Sequence, residues 1–202
     1  MGKQRVALYF GSFNPIHNGH IAIAEHVVEQ GLCDMLVMIV SPQNPLKQAA
    51  DLAPDLAPDL ARFEMVEAAC ASSKHPVMIV PSAIEFVLPR PSYTIDTLRA
   101  LEQERGDEME FSVVMGGDLA EQLPRWKEWE TLLQRYPIYM YPREGVTSTP
   151  YPEITMLEGA PELPFSSTDV RERLKKGESI DDMVPAAVAK YIADNGLWKK
   201  QD

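Results

Sequence analysis

The sequence lacks long hydrophobic runs, has little cysteine and has no excess of positive charge. No apolar stretch approaches the ~20 residues that a membrane-spanning helix requires, so we expect no association with a membrane. The 19 Lys and Arg are outnumbered by 30 Asp and Glu, which gives a net charge of −11 at pH 7. That balance argues against nucleic-acid binding, which needs a basic surface. A small anionic ligand stays compatible, because a local pocket can be positive on an acidic protein.

The two cysteines, Cys33 and Cys70, fit no metal-binding spacing and no disulfide pattern. Reduced thiols of this kind are typical of cytoplasmic proteins. Residues 1–5 lead directly into the first predicted strand, which leaves no apolar region for a signal peptide. We therefore expect a cytoplasmic protein with a single domain, residues 1–202, whose C-terminal helical part spans about 166–202.

Short apolar runs alternate along the chain with stretches that have helical spacing. The predicted strands are 5–10, 35–40, 77–80, 110–115, 138–141 and 153–157. The predicted helices are 18–30, 59–71, 94–105, 126–135, 166–176 and 185–195. Continuous apolar runs such as 35–40 are typical of strands buried on both faces. The alternation predicts an α/β fold with an open parallel sheet and helices on both of its faces.

Three groups of chemically informative residues follow predicted strands, at 11–20, 41–47 and 116–118. Ligands of open α/β sheets bind beyond the carboxyl ends of the strands, so we expect these groups to gather at that edge.

A long proline-rich loop at 41–58 contains Asp-Leu-Ala-Pro twice, the second time at 55–58. A loop of this length is typical of a lid, a binding loop or a disordered segment. Asp55 or Asp59 is available as the N-cap of the helix that follows.

The segment 11–20 reads Gly-Ser-Phe-Asn-Pro-Ile-His-Asn-Gly-His. Gly11 allows a sharp turn after the strand, and Pro15 restricts the residue before it to extended conformations. The helix that starts near 16–18 directs free N–H groups and a positive dipole end at whatever lies in front. The pattern is therefore typical of an anion site.

Two histidines at the start of this helix strengthen that interpretation. His17 and His20 are three residues apart and share one face of the first turn, while Gly19 leaves room between them for a ligand. Imidazoles in this position can donate hydrogen bonds to phosphate oxygens. A simple helix cap with two surface histidines explains fewer of these residues. A zinc pair is weaker still, because no third ligand lies at useful spacing.

A second motif, Ser-Ser-Thr-Asp-Val-Arg, occupies 166–171. The hydroxyls of Ser166, Ser167 and Thr168 predict a helix cap and a second anion-binding N-terminus. Arg171 lies one turn into that helix, where its guanidinium can bind phosphate. Alone, this motif is a common way for a helix to begin.

Together the two motifs resemble those of the HIGH-type nucleotidyltransferases, in the form that nicotinate-nucleotide adenylyltransferases carry. The family's Ser-Ser-Thr-x-x-Arg grips the β- and γ-phosphates of ATP. The resemblance covers nearly the whole chain and implies a Rossmann-like fold of that type. It implies transfer of the adenylyl group of ATP to nicotinate mononucleotide, giving deamido-NAD and pyrophosphate in NAD biosynthesis. The family usually has Asp where this chain has Asn14, and we expect the amide to keep the capping ability.

The resemblance also implies roles for individual residues. It makes His17, His20 and Arg171 catalytic. It assigns ATP binding to nine further residues: Gly11, Ser12, Phe13, Gly19, Gly116, Asp118, Ser166, Ser167 and Thr168. It assigns nicotinate-nucleotide binding to five residues: Lys47, Tyr93, Thr94, Trp126 and Arg143. Asp118 is expected to accept hydrogen bonds from ribose hydroxyls. For both Asp118 and Thr94, the alternative role is to cap a helix.

Mg²⁺ is expected to accompany ATP, held by phosphate oxygens and water because it dehydrates reluctantly. No protein metal ligand is predicted. The partners implied are ATP and nicotinate mononucleotide, and the pattern leaves open whether the chain forms a homo-oligomer.

Other functions fit the sequence less well. A phosphopantetheine adenylyltransferase usually has Thr at the position of His17 and lacks the Ser-Tyr-Thr-Ile-Asp-Thr-Leu segment at 92–98. That segment also disfavours a cytidylyltransferase. A non-catalytic nucleotide sensor need not keep both histidines and Arg171. A hydride-transfer enzyme requires Gly-x-Gly-x-x-Gly after the first strand, which is absent here.

Overall fold

A computed structural model describes residues 2–42, 55–143, 145–146 and 148–199. Over these residues, six strands form one parallel sheet in the order β3-β2-β1-β4-β5-β6. The strands are β1 (Gln4–Gly11), β2 (Met35–Val40), β3 (Ile79–Ser82), β4 (Met109–Gly116), β5 (Ile138–Tyr141) and β6 (Ile154–Met156). The predicted open parallel sheet is confirmed.

Six α-helices connect and cover these strands within the described residues. They are α1 (Asn18–Glu29), α2 (Asp59–Ala71), α3 (Thr94–Arg105), α4 (Trp129–Arg135), α5 (Ser167–Lys176) and α6 (Ala186–Asn195). Two 3₁₀ segments, Ile84–Phe86 and Gly117–Arg125, accompany them. None of the helices in the described part of the chain combines the length and the hydrophobicity that a membrane crossing demands.

Alternate residues of β1 face two separate hydrophobic clusters. Ala7 and Tyr9 join the cluster that α1, α2, α5 and α6 cover, whereas Val6 and Leu8 join the cluster that α3 and α4 cover. Helices therefore lie on both faces, as predicted. The C-terminal helices contribute Val170 to the first cluster, together with Val188 and Ile192 of α6. The single-domain assignment of 1–202 stays a prediction.

The order of the strands reverses between β1 and β4. The chain runs outward from β1 to β3, then returns to the other side of β1 and runs outward again to β6. Such a switch point opens a crevice at the carboxyl ends of the two central strands. Gly11 ends β1 and Gly116 ends β4, so both glycines lie at this crevice.

Two predicted elements start two or three residues later than expected. The strand predicted at 77–80 lies at 79–82, because the amides of Met78 and Ile79 first bond the His75 carbonyl in a turn. The helix predicted from 126 begins at Trp129, because Trp126 is extended and Glu128 has a left-handed conformation with φ of 50°.

The expected N-caps of α2 and α3 are wrong. Pro58 is the N-cap of α2 and makes no side-chain cap bond. Asp59 instead pairs with two arginines, and Asp55 pairs with Lys175 at 2.6 Å. Thr94 is the first residue of α3, and Tyr93 occupies its N-cap position without a side-chain hydrogen bond.

Gly11 has a different role from the one expected. It is still part of strand β1, and the residue that turns is Phe13, whose φ is 45°. A Cβ on Gly11 would lie 2.8 Å from the Phe13 ring. Gly11 is therefore needed because the Phe13 side chain packs back against the strand.

We expect Gly11→Ala to lower the free energy of unfolding by about 1–3 kcal/mol, the usual cost of overpacking. Urea unfolding measures the change. Gly2→Ala is the control, since nothing lies within 4 Å of the added carbon, and it should change stability by less than about 0.5 kcal/mol. Equal stability of the two variants would contradict the packing argument.

Candidate active site

The N-terminus of α1 is capped by two histidines that act on each other. His17 is the N-cap residue, and its Nδ1 accepts a hydrogen bond from the Gly19 amide at 3.1 Å. The Nδ1 of His20 accepts from the His17 amide at 3.2 Å. This is the reciprocal arrangement of a capping box, with imidazoles in place of a hydroxyl and a carboxylate. The two rings stack with centroids 3.8 Å apart.

The cap determines which nitrogen of each ring carries the proton. A backbone amide is always a donor, so each Nδ1 must be unprotonated to accept from it. In the neutral imidazole the proton is then on Nε2. Both histidines therefore present an Nε2–H donor.

Burial keeps both rings neutral. His17 is 3% exposed, and burial, followed by the charge of Arg143, lowers its pKa from 6.5 to about 4, against a small opposing effect of Asp169. Burial is also the largest cause for His20, whose pKa lies well below its ordinary value, with His17 and Arg143 contributing. At neutral pH the site therefore offers two neutral donors rather than two cations.

Gly19 serves the cap. A Cβ at this position would lie 2.9 Å from Cε1 and 3.0 Å from Nδ1 of His17. Gly19 thus has a local reason, because a side chain there would displace the capping ring. The expectation that it leaves room for a ligand stays a prediction, and Gly19 lines a cavity together with both histidines.

Aromatic rings hold the histidines in place. Phe13 meets His20 edge-on at 5.1 Å, and Phe165 meets His17 at 5.5 Å. Behind them, the buried hydroxyl of Tyr9 donates to that of Tyr141 at 2.9 Å. Neither tyrosine was predicted as a site residue, although each is a polar-tipped residue near the carboxyl end of an apolar strand.

The second motif lies against the first. Ser166 caps α5 in a box with Asp169. The Ser167 hydroxyl donates to the Pro15 carbonyl at 2.8 Å, and Arg171 donates to the Asn14 carbonyl at 2.8 Å. The N-termini of α1 and α5 are thereby joined through the loop at 14–15.

Asn14 does not cap α1 as expected. Its buried amide donates to the Asp55 carbonyl at 2.8 Å, and its oxygen accepts from the Ala57 amide at 3.0 Å. An aspartate could accept from Ala57 but could not donate to Asp55. Asp55 was missed as a site residue; its carboxylate lies 3.9 Å from the Arg171 Nε.

Among the described residues, three cavities open along the carboxyl edge of the sheet. The central cavity, of about 390 Å³, contains both histidines. Its lining also includes Gly11, Ser12, Phe13, Arg143, Ser166, Ser167, Thr168 and Arg171. The outer cavity, of about 530 Å³, shares the histidines and is closed by apolar residues such as Leu163 and Phe165.

The third cavity, the Tyr93 cavity, has a volume of about 250 Å³ and is lined by Tyr93, Thr94 and Trp126. It shares Gly11 and Ser12 with the central cavity. The structure thus brings the first-motif and second-motif residues to one cavity, and three of the predicted acceptor residues to its neighbour.

Polar atoms in the wall of the Tyr93 cavity have no protein partner among the described residues. They are Oε2 of Glu85, Oγ of Ser92 and Nε1 of Trp126. Burial raises the pKa of Glu85, against the opposing hydrogen bond that the Thr97 hydroxyl donates to Oε1 at 2.8 Å. The uncapped N-terminus of α3 lies at the same wall, through Tyr93 and Thr94. Helix N-termini favour anions, so this cavity suits a ligand with a carboxylate.

Arg143 lies apart from the other described residues of the predicted acceptor group. It lines the central and outer cavities and not the Tyr93 cavity. Arg143 follows β5, which ends at Tyr141 and pairs with β4 in the sheet. Its Nε is 3.9 Å from Asp118.

Asp118 does not cap a helix, since Gly116 is the N-cap of the 3₁₀ segment. Gly116 has no room for a Cβ because Asp118 and Tyr141 pack against it.

Lys47 lies outside the described residues. Within the described ranges, no group of three or more His, Cys, Asp or Glu side chains could hold a metal ion.

The pKa of His17 can be measured by NMR in a His26→Gln, His75→Gln background, which leaves only the two site histidines. We expect a His17 midpoint of about 4, below the ordinary 6.5. The unfolded chain then takes up the proton first, so the stability linked to His17 is complete above pH 6.5 and is lost as the pH falls toward 4. A midpoint at or above 6.5 would contradict the neutral cap.

Comparison with known proteins places the chain. The profile of the cytidylyltransferase-like family matches residues 8–173. A probable nicotinate-nucleotide adenylyltransferase of Flavobacterium johnsoniae is 39% identical over 97% of this chain and 100% of that protein. One of Bacteroides fragilis is 39% identical over 95% of this chain and 92% of that protein.

The fold is similar to solved structures. Nicotinic acid mononucleotide adenylyltransferase of Plasmodium falciparum, complexed with NaAD, superposes with a TM-score of 0.79 at 18% identity, over 96% of this chain and 97% of that one. The chain therefore belongs to the cytidylyltransferase-like family and, within it, to the nicotinate-nucleotide adenylyltransferases.

Proposed function

We propose that this protein transfers the adenylyl group of ATP to nicotinate mononucleotide, giving deamido-NAD and pyrophosphate. An oxygen of the 5′-phosphate of the mononucleotide attacks the α-phosphorus of ATP in line. The bond from that phosphorus to the bridging oxygen breaks, and pyrophosphate leaves with the bonding electrons. Such a transfer depends mainly on alignment and on neutralisation of charge.

The observation that carries the proposal is the reciprocal histidine cap. It fixes two Nε2–H donors at a cavity that two helix N-termini and Arg171 also line. Donors held in advance by the backbone stabilise developing phosphate charge without reorganisation. In this account His17 and His20 bind the phosphates around the reacting phosphorus.

The leaving pyrophosphate is assigned to the second motif. Arg171 and the turn at 166–168 line the central cavity opposite the histidines. We add Arg143 to this group instead of the acceptor group, on the basis of its position. Mg²⁺ is assigned to the substrate, entering with ATP and held by phosphate oxygens and water.

The two remaining cavities accommodate the nucleosides. The outer cavity, with its apolar wall, is assigned to the adenosine of ATP, and Asp118 to a ribose hydroxyl near it. The Tyr93 cavity is assigned to the pyridine ring, with Trp126 beside it and the N-terminus of α3 facing its carboxylate. Lys47 stays a predicted acceptor contact. We retain the cytoplasmic location expected from the cysteine content.

We expect His20→Ala to lower turnover ~10²–10³-fold, the usual cost of removing one charge-stabilising donor. Pyrophosphate release from ATP in the presence of nicotinate mononucleotide measures it, and circular dichroism establishes that the variant folds. His26→Ala is the matched control, because it alters a histidine of the same helix that lies outside all three cavities.

Near-normal turnover of a folded His20→Ala variant would refute the assigned role. Wild-type protein that binds ATP but releases no pyrophosphate when the mononucleotide is present would instead favour the nucleotide sensor.

A further inference from the structure

An arginine that was not predicted as a site residue is fully buried beneath the site. Arg62 is 0% exposed. On α2 it belongs to the buried stripe formed with Met65, Val66 and Ala69. Arginine is almost never buried completely unless its charge is paired, so its contacts need a specific explanation.

The guanidinium of Arg62 joins three separate backbone segments. Its Nη1 donates to the carbonyls of Ser12 at 2.6 Å and Ser41 at 2.8 Å. Its Nε donates to the Ala57 carbonyl at 3.1 Å. The charge is balanced by Asp59, whose carboxylate lies 2.6 Å from Nη2. Most of the donors of this side chain are thus used on main-chain oxygens.

The first two carbonyls belong to the loops that follow β1 and β2. The Ser41 amide still bonds the Gly11 carbonyl at 2.9 Å. Beyond that bond the two chain segments are joined through Arg62, which donates to a carbonyl of each. Ser12 and Ser41 line the Tyr93 cavity, and Ser12 also lines the central cavity.

We propose that Arg62 is a positioning residue for the reaction, which fixes the backbone wall between the central cavity and the Tyr93 cavity. The inference rests on the proposed function, because that function assigns ATP and the acceptor to these cavities. Arg62 lines none of the three cavities and is not catalytic. It acts through Ser12 and Ser41, whose position determines how the acceptor phosphate meets the α-phosphorus.

Arg62→Lys is the sharpest variant. Lysine keeps the charge and the apolar stem but replaces a planar fork by a single ammonium, which cannot hold three carbonyls and a carboxylate in the same geometry. A misplacement of about 1 Å costs ~10² in rate, so we expect kcat/KM to fall about 10-fold to 10²-fold for ATP and for nicotinate mononucleotide alike. KM should rise for both substrates.

Hydrogen exchange gives a readout that does not depend on activity. The Ser41 amide is protected by its bond to the Gly11 carbonyl at 2.9 Å, and it should exchange faster in Arg62→Lys than in the wild-type protein. Because this readout needs no turnover, it distinguishes failure of the positioning role from failure of the proposed function. An inactive wild type would refute the function, and the exchange rates would still decide the role of Arg62.

Leu36→Ala is the control for a loss of stability alone. Leu36 is fully buried near the amino end of β2, at the opposite edge of the sheet from the cavities. The Leu36→Ala substitution should lower the melting temperature while kcat/KM and the exchange of the Ser41 amide stay within about threefold of wild type. Asp59→Asn is the second test if Arg62→Lys does not fold, since it keeps the guanidinium and removes its counter-charge. We expect a fall of at least threefold in kcat/KM for both substrates.

Unchanged kcat/KM and unchanged exchange of the Ser41 amide in a folded Arg62→Lys variant would overturn the proposal. An equal loss of kcat/KM in Leu36→Ala, at the same fall in melting temperature, would also overturn it, because a structural role would then suffice. For Asp59→Asn, wild-type kinetics would overturn it.

Discussion

The reciprocal cap at the start of α1 is the interaction on which the rest of the site depends. Each of the two imidazoles accepts one hydrogen bond from a backbone amide. These bonds determine the helix end, the ring orientations and the proton positions together. The cap uses one nitrogen of each ring and leaves the other as a donor. The same bonds that begin the helix therefore prepare the groups that phosphate needs, and burial keeps both rings neutral.

The surrounding contacts can be understood as support for this cap. Phe13 and Phe165 restrict the rings, and Gly19 and Gly11 provide the space in which His17 and Phe13 pack. The second motif is bonded to the loop in front of the cap, so the two helix N-termini face one cavity. In the proposed function, the charge of a triphosphate is met mainly by oriented dipoles and a few cations. This explains how a chain with a net charge of −11 can bind a polyanion.

Much of the fold could be predicted because its signals are local. The continuous apolar run at 35–40, and the helix predicted at 59–71, have the same limits in the structure. The strand, turn and helix at 11–20 were also predictable, since Pro15 and the two histidines act within one turn. Boundaries failed where the backbone was irregular, as at Trp126 and Glu128.

The site was less predictable where a residue's partner lies far along the chain. Asn14 binds residues more than 40 positions away, so its local appearance as a cap was misleading. Arg143 was grouped by resemblance with Tyr93, but the order of the strands places it beside the histidines. The burial of Arg62 could have been suspected from the sequence, because it is a charged residue on an otherwise apolar face of a helix. Only the tertiary structure shows which carbonyls it holds.

The most direct test is kcat/KM for pyrophosphate release from ATP, compared between nicotinate mononucleotide and its amide. The N-terminus of α3 at the Tyr93 cavity favours a carboxylate over an amide. We predict release that depends on the acceptor and a clearly higher kcat/KM for the acid. Equal values for the two mononucleotides, or release that needs neither, would contradict it.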